Sequence, residues 1–349
     1  MMNINLDTIP KVNEETGTLV SDYINTLTKP IGSLGRLEKL AIELAKIKGE
    51  QFPSVTPPGV LVFAADHGIT DEGVSAYPKD VTEQMVRNFL QGGAAINVFS
   101  REIGAFLEIV DIGVAKDIDD EQLINKKVRY GTANFFREDA MTREEAEKAI
   151  EIGYEQGLNL IDKGAQCLIL GEMGIGNTSA SSAILAVLSG QDVSDLVGIG
   201  TGLTSEGLAR KAEIIKESIN RRNPNRDDAL DCLAKLGGLE IAGMTGAMLA
   251  GASRQVPILV DGFICTVSAL LASKLSSNAN DYMFVMHQSA EPGHKAAISL
   301  LGKEPILDLN LRLGEGTGAA LGFPIMKAAT LMLKEMATFE SAGVSTKGE

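Results

Sequence analysis

The sequence predicts an α/β protein: a three-layer α/β/α domain with a mainly parallel sheet, plus a small helical domain. Three observations predict this fold class. Short apolar runs recur along the chain, helical segments lie between most of them, and each run ends in a small polar or glycine-containing cluster. Continuous apolar runs without alternation are typical of strands buried on both faces, which occur in parallel sheets covered by helices.

Length and composition agree with a folded enzyme-sized chain. The 349 residues are 44% hydrophobic and 22% charged, which excludes a disordered chain. The net charge of −14 argues against binding to nucleic acid or to an anionic membrane surface. The three cysteines are widely spaced and include no CxxC pair, so neither a disulfide framework nor a zinc site is indicated. We expect a soluble, cytoplasmic protein without a targeting or membrane segment.

The N-terminal part is predicted to be helical over most of residues 13–50. In SLGRLEKLAIELAKIKG the leucines and other apolar residues recur every three or four positions and form one stripe. Ser33 is the predicted N-cap of this helix, and Gly49 is its predicted end. The three prolines of FPSVTPPG, residues 52–59, indicate a linker to the next part of the chain.

The predicted strands follow this linker. They cover residues 60–65, 106–110, 167–170, 196–199, 258–260 and 282–286. The predicted helices around them cover residues 143–160, 179–188, 205–220, 239–252 and 318–336. Because proline breaks the hydrogen-bond pattern of a helix, Pro324 either kinks the last helix or marks its true beginning.

These elements predict two domains. Residues 53–322 form the α/β domain with a Rossmann-like sheet, and residues 1–52 and 323–349 form the small helical domain. Ligands of open parallel sheets bind beyond the carboxyl ends of the strands. Since the polar and glycine-rich clusters all follow predicted strands, we expect one cleft to gather them.

The strongest local signal is LGEMGIGNTSASSA, residues 170–183. Glu172, Gly174 and Gly176 form a turn between a strand and a helix, and Asn177, Thr178 or Ser179 is the predicted cap of that helix. Glycine N–H groups and a helix N-terminus together make a good phosphate cradle. The segment lacks the P-loop and full dinucleotide-binding patterns. A tight turn that binds no ligand therefore remains an alternative.

A second glycine turn is GIGTGLTSEGLARKAE, residues 198–213, with Gly200 and Gly202 ahead of a helix that carries Lys211. Lys211 is placed to pair with an anion held by these glycines. A lone lysine on a helix is more often a solvated surface charge. The functional interpretation of Lys211 therefore depends on its neighbouring turns.

A third turn places Glu315 between two glycines in LRLGEGTG, after a segment of alternating leucines that ends at Leu313. A poorly solvated carboxylate has a raised pKa, which suits a general base near neutral pH. The alternatives are an exposed acidic turn and a simple helix cap.

Histidine and aspartate side chains also follow predicted strands: Asp66, His67, Asp111, Asp261 and His287. These are metal-ligand types, but no HExxH or related spacing supports a metal site. No GxSxG elbow supports a serine hydrolase either. Hydrogen-bonding and structural roles are therefore favoured for the histidines.

Seven segments together resemble one family, the nicotinate-nucleotide–dimethylbenzimidazole phosphoribosyltransferases of cobalamin lower-ligand synthesis. They occur in the family's order and span most of the chain. The segments are TKPIGSLGRLE (28–38), FAADHGITDEGVSAYP (63–78), GEMGIGNTSASSA (171–183), GIGTGL (198–203), PILVDGFI (257–264), HQSAEPGH (287–294) and LRLGEGTGAAL (311–321).

The resemblance implies a pentosyl transfer. The 5-phosphoribosyl group of nicotinate mononucleotide moves to 5,6-dimethylbenzimidazole, giving α-ribazole 5′-phosphate and nicotinate. Nicotinate leaves from a cationic ring and needs no acid, whereas the incoming benzimidazole must lose an N–H proton to a base. The resemblance also implies a homodimer that needs no metal or other cofactor.

The resemblance assigns roles to the residues singled out above. Glu315 is the base, and Glu172 holds the ribose or assists at the reacting centre. The remaining substrate-binding residues are Gly174, Gly176, Asn177, Gly200, Gly202, Lys211 for the phosphate, Asp261, Ser289, and Tyr77, Met85 and Leu313 for the acceptor base. Because a tyrosine at position 77 suits other benzimidazoles or a phenol, a related transferase with another acceptor is one alternative. A non-catalytic nucleotide sensor is the other.

Overall fold

A six-stranded, wholly parallel sheet forms the centre of the molecule in a computed structural model, which describes residues 2, 4–198, 202 and 204–345. The strands are β1 (Pro58–Ala65), β2 (Phe106–Gly113), β3 (Leu123–Asn125), β4 (Cys167–Met173), β5 (Ile258–Val260) and β6 (Met283–Val285). Their order across the sheet is β3-β2-β1-β4-β5-β6. Connections run outward in opposite directions from β1 and β4, and such a switch point is where open parallel sheets form a ligand crevice.

Helices connect and flank these strands. They are α1 (Glu14–Thr26), α2 (Arg36–Lys48), α3 (Asp80–Leu90), α4 (Ala95–Ile103), α5 (Arg143–Asp162), α6 (Asn177–Ser189), α7 (Val193–Leu196), α8 (Ser205–Arg222), α9 (Ala229–Leu236), α10 (Leu239–Ser253), α11 (Phe263–Leu275), α12 (Pro292–Leu301), α13 (Thr317–Glu335) and α14 (Phe339–Ala342). The sequence sets several of the boundaries through local capping. Thr142 and Glu145, for example, form a capping box at the start of α5.

Helices cover both faces of the sheet. Phe63 of β1 packs against α10, and Gly171 of β4 packs against the turn that precedes α13. Gly171 is paired in register with Val62, the neighbour of Phe63. Since successive residues of a strand point to opposite faces, α10 and α13 lie on opposite sides of the sheet. The predicted three-layer α/β fold is therefore confirmed.

Five of the six predicted strands are present, and the strand predicted at 196–199 is wrong. Leu196 ends helix α7, Val197 and Gly198 are not in a strand, and Ile199 lies outside the described residues. Val193, Leu196 and Val197 are buried with helical spacing, and Asp192 accepts a hydrogen bond from the backbone of Ser194 at the helix start. The remaining strand of the sheet is β3, which is too short to show a pattern in the sequence.

Two helix boundaries also differ from the prediction. Helix α2 begins at Arg36 with Gly35 as its N-cap, because Ser33 lies in the preceding turns and its N–H donates to the carbonyl of Pro30. Its predicted end at Gly49, in the left-handed conformation, is confirmed. Helix α13 begins at Thr317 and runs through Pro324, so it does not start at the proline.

Two expectations drawn from composition can be compared with the described residues. In the described part of the chain, no helix has both the length and the apolar character needed to cross a membrane. Cys167, Cys232 and Cys265 are buried free thiols. Burial raises the pKa of each of them, so they are protonated at neutral pH.

A buried ion pair links the start of α2 to the segment before it. Lys29 Nζ lies 2.9 Å from Glu38 Oε1, and both residues are buried. We expect Glu38→Ala to lower the free energy of unfolding by about 3–5 kcal/mol, because it leaves the lysine charge buried without a partner. Urea denaturation measures this loss. The double substitution Lys29→Met with Glu38→Leu should recover most of it, and an equally unstable double variant would contradict the explanation.

Candidate active site

A cavity of about 450 Å³ opens at the carboxyl ends of the central strands, where the predicted cleft lies. Residues at and after the ends of β4, β5 and β6 line the bottom of this cavity. The segment that runs from β1 into α3 lines one side of it, which we call the wall. Ten residues predicted from the sequence line it: Tyr77, Met85, Glu172, Gly174, Gly176, Asn177, Asp261, Ser289, Leu313 and Glu315. The structure therefore brings together side chains from five separate segments of the chain.

Glu172, near the end of β4, is one of three buried carboxyl groups that line this cavity, with Glu315 and Asp261. Its Oε2 atom accepts a hydrogen bond from the side-chain amide of Asn177, at the start of α6. Burial, together with the charges of Glu240, Asp261 and Glu315, raises the pKa of Glu172 to about 8. The Glu172 carboxyl group is therefore mostly protonated at neutral pH and is able to donate a hydrogen bond.

Glu315 is the second buried carboxyl group, with 5% of its surface exposed. Burial raises its pKa to about 6, and the backbone N–H of Ile96 at the start of α4 opposes that shift. The pKa is therefore raised, as the sequence predicts, but Glu315 remains ionised at neutral pH. The leucine segment does not cause the desolvation, since Leu309 and Leu313 are 52% and 58% exposed.

The turn that carries Glu315 is held against strand β4. Gly314, Glu315 and Gly316 all have positive φ angles (90°, 64° and 89°), and glutamate rarely adopts this conformation. A Cβ atom at Gly171 would overlap the carbonyl group of Glu315 and would lie 2.7 Å from the backbone nitrogen of Gly316. The glycine in β4 is therefore what allows the turn to bring the two carboxyl groups together.

The contact between Gly171 and the Glu315 turn predicts the effect of adding one methyl group at position 171. We expect Gly171→Ala to displace the turn at Glu315 and to lower turnover strongly, while destabilising the fold by about 1–3 kcal/mol. Steady-state kinetics and thermal unfolding measure the two effects separately. Gly164→Ala is the control for turnover: its φ of 110° strains an alanine and costs stability, but nothing lies within 4 Å of a Cβ atom there, so turnover should stay unchanged. A Gly171→Ala enzyme with full activity would contradict this role of the glycine.

Asp261, after β5, holds the other side of the same turn. Its carboxylate accepts hydrogen bonds from the backbone N–H groups of Gly316 (3.2 Å) and Ala319 (3.0 Å). The Nε2 atom of His287 lies 3.3 Å from Asp261 Oδ1. Burial lowers the pKa of His287, but the hydrogen bond and charge of Asp261 outweigh burial and leave it raised. Asp261 therefore caps α13 and orients the Glu315 turn.

Lys211 lies behind the opposite end of the cavity. It is 1% exposed, and its Nζ atom donates a hydrogen bond to the hydroxyl of Thr178, 3.0 Å away, which does line the cavity. Burial lowers the pKa of Lys211 to about 8, and the nearby charge of Glu291 raises it. Lys211 is thus a buried cation directed to the first turn of α6, and it is not a solvated surface lysine.

One predicted glycine does not line the cavity, and another lies outside the described residues. Gly202 is in an exposed turn, has no neighbour within 4 Å of a Cβ position and is not among the lining residues. Gly200 lies outside the described residues.

The wall formed by residues 74–85, which run from the segment after β1 into α3, is the less polar side of the cavity. Val74, Val81 and Met85 line it together with Ser75 and Tyr77, as predicted for the segment of residues 75–85. Tyr77 is 54% exposed. Its ring therefore lies at the rim of the cavity and is accessible from solvent.

Among the lining residues without a substrate-related role predicted from the sequence, four have hydroxyl, imidazole or charged side chains: Thr178, His287, Glu291 and Arg312. The histidine was assigned to hydrogen bonding, and its pairing with Asp261 agrees with that interpretation. All four lie inside the segments that carry the family resemblance. Their place within these segments is therefore the signal in the sequence that could have identified them. Within the described part of the chain, no group of three or more His, Cys, Asp or Glu residues is placed to hold a metal ion.

The arrangement defines a class of protein. A cleft at the switch point of a parallel sheet offers an ionised carboxylate and a protonated carboxyl group at one end and a buried lysine at the other. Such groups perform acid–base chemistry on a small molecule that carries an anionic group. The fold and site therefore define an α/β enzyme of this kind, and comparison with known proteins specifies which.

A phosphoribosyltransferase family model, DBI_PRT, matches residues 9–344. The chain is 51% identical to a nicotinate-nucleotide–dimethylbenzimidazole phosphoribosyltransferase of Halalkalibacterium halodurans, over 97% of this chain and 95% of that protein. It is 49% identical to the one of Chloroflexus aurantiacus, over 98% of each. A crystal structure of the enzyme from Thermus thermophilus superposes with a TM-score of 0.91 at 43% identity, covering 96% of this chain and all of that one. The chain belongs to the nicotinate-nucleotide–dimethylbenzimidazole phosphoribosyltransferase family.

Proposed function

We propose that the chain transfers the 5-phosphoribosyl group of nicotinate mononucleotide to 5,6-dimethylbenzimidazole, giving α-ribazole 5′-phosphate and nicotinate. One observation of the site supports this proposal in addition to the family relationship. Two buried carboxyl groups lie in one cleft with pKa values of about 6 for Glu315 and about 8 for Glu172. Groups whose environments separate their pKa values in this way supply a base and a hydrogen-bond donor at the same pH.

Glu315 is the base in this proposal. A ring nitrogen of the benzimidazole attacks C1′ of the ribose, and the bond from C1′ to the nicotinate ring nitrogen breaks. The electron pair of that bond neutralises the departing cationic ring. The N–H proton of the benzimidazole passes to the Glu315 carboxylate, and a positioned base of this kind contributes about 10²–10⁴-fold to the rate.

Glu172 and Asp261 support the reacting centre. Protonated Glu172 donates a hydrogen bond to a ribose hydroxyl, while Asn177 fixes its other oxygen. Positive charge develops at C1′ as the bond to nicotinate breaks, and the nearby carboxylates of Glu315 and Asp261 stabilise it electrostatically. Both carboxylate oxygens of Asp261 already accept backbone hydrogen bonds from the Glu315 turn and the start of α13. Asp261 therefore acts on the substrate through its charge.

The other end of the cleft binds the phosphate. Gly174, Gly176 and Ser289 line it, and Lys211 acts on it through the first turn of α6. A helix N-terminus beside a lysine favours a phosphate through its free N–H groups and its partial positive charge. Gly200 and Gly202 are proposed to close over the phosphate from the segment ahead of α8.

The acceptor base is proposed to bind between the apolar wall and the Glu315 turn. Met85, Leu313 and the exposed ring of Tyr77 contact its flat faces. Because Tyr77 lies at the rim, it selects among acceptors by their outer substituents. This placement leaves other benzimidazoles and phenols as acceptors to be compared with dimethylbenzimidazole.

We further propose a cytoplasmic homodimer whose chains divide into the α/β domain of residues 53–322 and a helical domain of residues 1–52 and 323–349. Three contacts support the helical domain. Helix α1 packs on α2, α2 packs on α13, and Leu27 forms a β-bridge with Thr338. These contacts join the two ends of the chain.

Release of nicotinate from nicotinate mononucleotide, followed with and without dimethylbenzimidazole, tests the proposal. We expect release that depends on the acceptor and stops when the acceptor is consumed. Equal release without any acceptor would identify a hydrolase. Binding of nicotinate mononucleotide without release, for all benzimidazoles and phenols, would identify a nucleotide sensor. Either result would contradict the proposed transfer.

A further inference from the structure

A carboxylate lies where the proposed function places the phosphate. Glu291 lines the cavity, and its backbone N–H donates to the hydroxyl of Ser289, another lining residue. Its side chain rests on the backbone of Gly198, where a Cβ atom would come 3.0 Å from the carboxyl carbon. A negative side chain opposes the binding of a negative ligand, so its position in this subsite requires an explanation.

Glu291 carries a negative charge that offsets the positive charge of Lys211 when no substrate is bound. Lys211 is 1% exposed, and the hydrogen bond of its Nζ atom goes to the neutral hydroxyl of Thr178. The charge of Glu291 raises the pKa of Lys211, and the charges of Lys211 and Arg312 lower the pKa of Glu291. These mutual effects indicate that the three side chains share one electrostatic environment. Burial nevertheless raises the pKa of Glu291 above its ordinary value, so its charge is weakly held.

Two helices direct their N-termini to the same place. Helices α6 and α12 contact each other, and neither has a side-chain hydrogen bond at its N-cap. Glu291 is itself the N-cap residue of α12, yet its side chain does not cap the helix. The partial positive charge of the helix N-termini and the lysine favour a phosphate, which carries about −1.5 to −2 charges at neutral pH. A phosphate here competes with the single charge of Glu291.

We propose that Glu291 is a charge-matching residue of the phosphate subsite. Without substrate its carboxylate offsets the charge of Lys211 across the subsite without forming an ion pair with it, and when the substrate phosphate binds, Glu291 takes up a proton from solvent and loses its charge. The phosphate then provides the negative charge that offsets the lysine. This inference rests on the proposed function, because it requires a phosphate in this subsite.

The pKa values of the groups around Glu291 determine the pH range in which its protonation can be tested. The titratable side chains on elements packed around it include Lys211 on α8, Arg312 before the Glu315 turn, His294 and Lys295 on α12, Cys265 on α11 and Asp195 on α7. Helix α6 carries no titratable side chain. Burial and the charge of His287 lower the pKa of His294 to about 3, and that of Lys211 is about 8. Between pH 5 and pH 7 these two groups therefore keep their charge states.

The experiment measures the affinity for nicotinate mononucleotide by calorimetry, without acceptor base, for the wild type and for E291Q. Glutamine has the shape of a protonated glutamate, so E291Q should bind about tenfold more tightly than the wild type at pH 7, which corresponds to about 1.4 kcal/mol. The ratio should fall toward one as the pH is lowered, because burial raises the pKa of Glu291 and the wild-type side chain becomes protonated. E206Q, an exposed change of equal charge on α8, should match the wild type throughout.

The outcomes are distinguishable. Equal affinity of wild type and E291Q at every pH would overturn the inference and leave the proposed function intact. A wild type that does not bind nicotinate mononucleotide would overturn the proposed function itself. If E291Q does not fold, calorimetry of the wild type at pH 7 in buffers of different ionisation heats is the second measurement. Net proton uptake on binding supports the inference, and binding without uptake contradicts it.

Discussion

Glu315→Gln should lower turnover by about 10²–10⁴-fold while leaving the affinity for nicotinate mononucleotide nearly unchanged. Glutamine keeps the size of the side chain but cannot accept the benzimidazole proton. Glu315 is 5% exposed, and the φ angle of 64° fixes the turn from which it reaches the cavity. Single-turnover rates with saturating acceptor measure the effect on the chemical step directly.

The rate of the wild-type enzyme should also depend on pH in a defined direction. The pKa of Glu315 is about 6, so the wild-type rate should fall as the pH is lowered through that value and the carboxylate becomes protonated. The residual rate of Glu315→Gln should lack this fall. Glu335→Gln, an exposed change on the same α13 helix, is the matched control and should behave as the wild type. A Glu315→Gln variant that retains full activity would move the base elsewhere, with Glu172 the next residue to test.

Lys211→Met should raise the KM for nicotinate mononucleotide by about 10–150-fold, which corresponds to losing a charged hydrogen bond of about 1.5–3 kcal/mol. We expect kcat to change little, because the phosphate is bound equally in the ground state and in the transition state. Methionine replaces the buried lysine stem without its charge, so the core contact is largely kept.

The lysine also predicts a second pH effect. Burial lowers its pKa to about 8, so the affinity of the wild type for nicotinate mononucleotide should weaken as the pH rises through 8 and the lysine loses its charge. Lys216→Met on the same helix, where the lysine is exposed and pairs with Asp192, is the matched control. An unchanged KM in Lys211→Met would show that the phosphate binds elsewhere.

Much of the fold is predictable because burial on both faces of a strand leaves a continuous apolar run. That signal identifies β1, β2, β4, β5 and β6. It fails for β3, because three residues at the edge of a sheet take their conformation from the neighbouring strand. It also fails at residues 196–199, because a short apolar run does not distinguish a strand from the buried side of a helix such as α7.

The site is predictable to the extent that its residues follow strands, since parallel strands direct their carboxyl ends to one edge. Glu172 and Asp261 illustrate this, as each comes at or directly after a strand. The contact between Gly171 and the Glu315 turn is not predictable, because it joins segments far apart in the sequence. Thr178 and Glu291 show no chemical pattern of their own, and within the sequence only their position in the segments that resemble the family points to the cavity that they share with Glu315.

Identification of the product tests the central claim most directly. Purified enzyme is incubated with nicotinate mononucleotide and dimethylbenzimidazole, and the products are separated by chromatography and identified by mass and by nuclear magnetic resonance at C1′. We predict α-ribazole 5′-phosphate and nicotinate in equal amounts from the wild type. Ribose 5-phosphate in place of α-ribazole 5′-phosphate, or the absence of any product from a protein that binds both substrates, would contradict it.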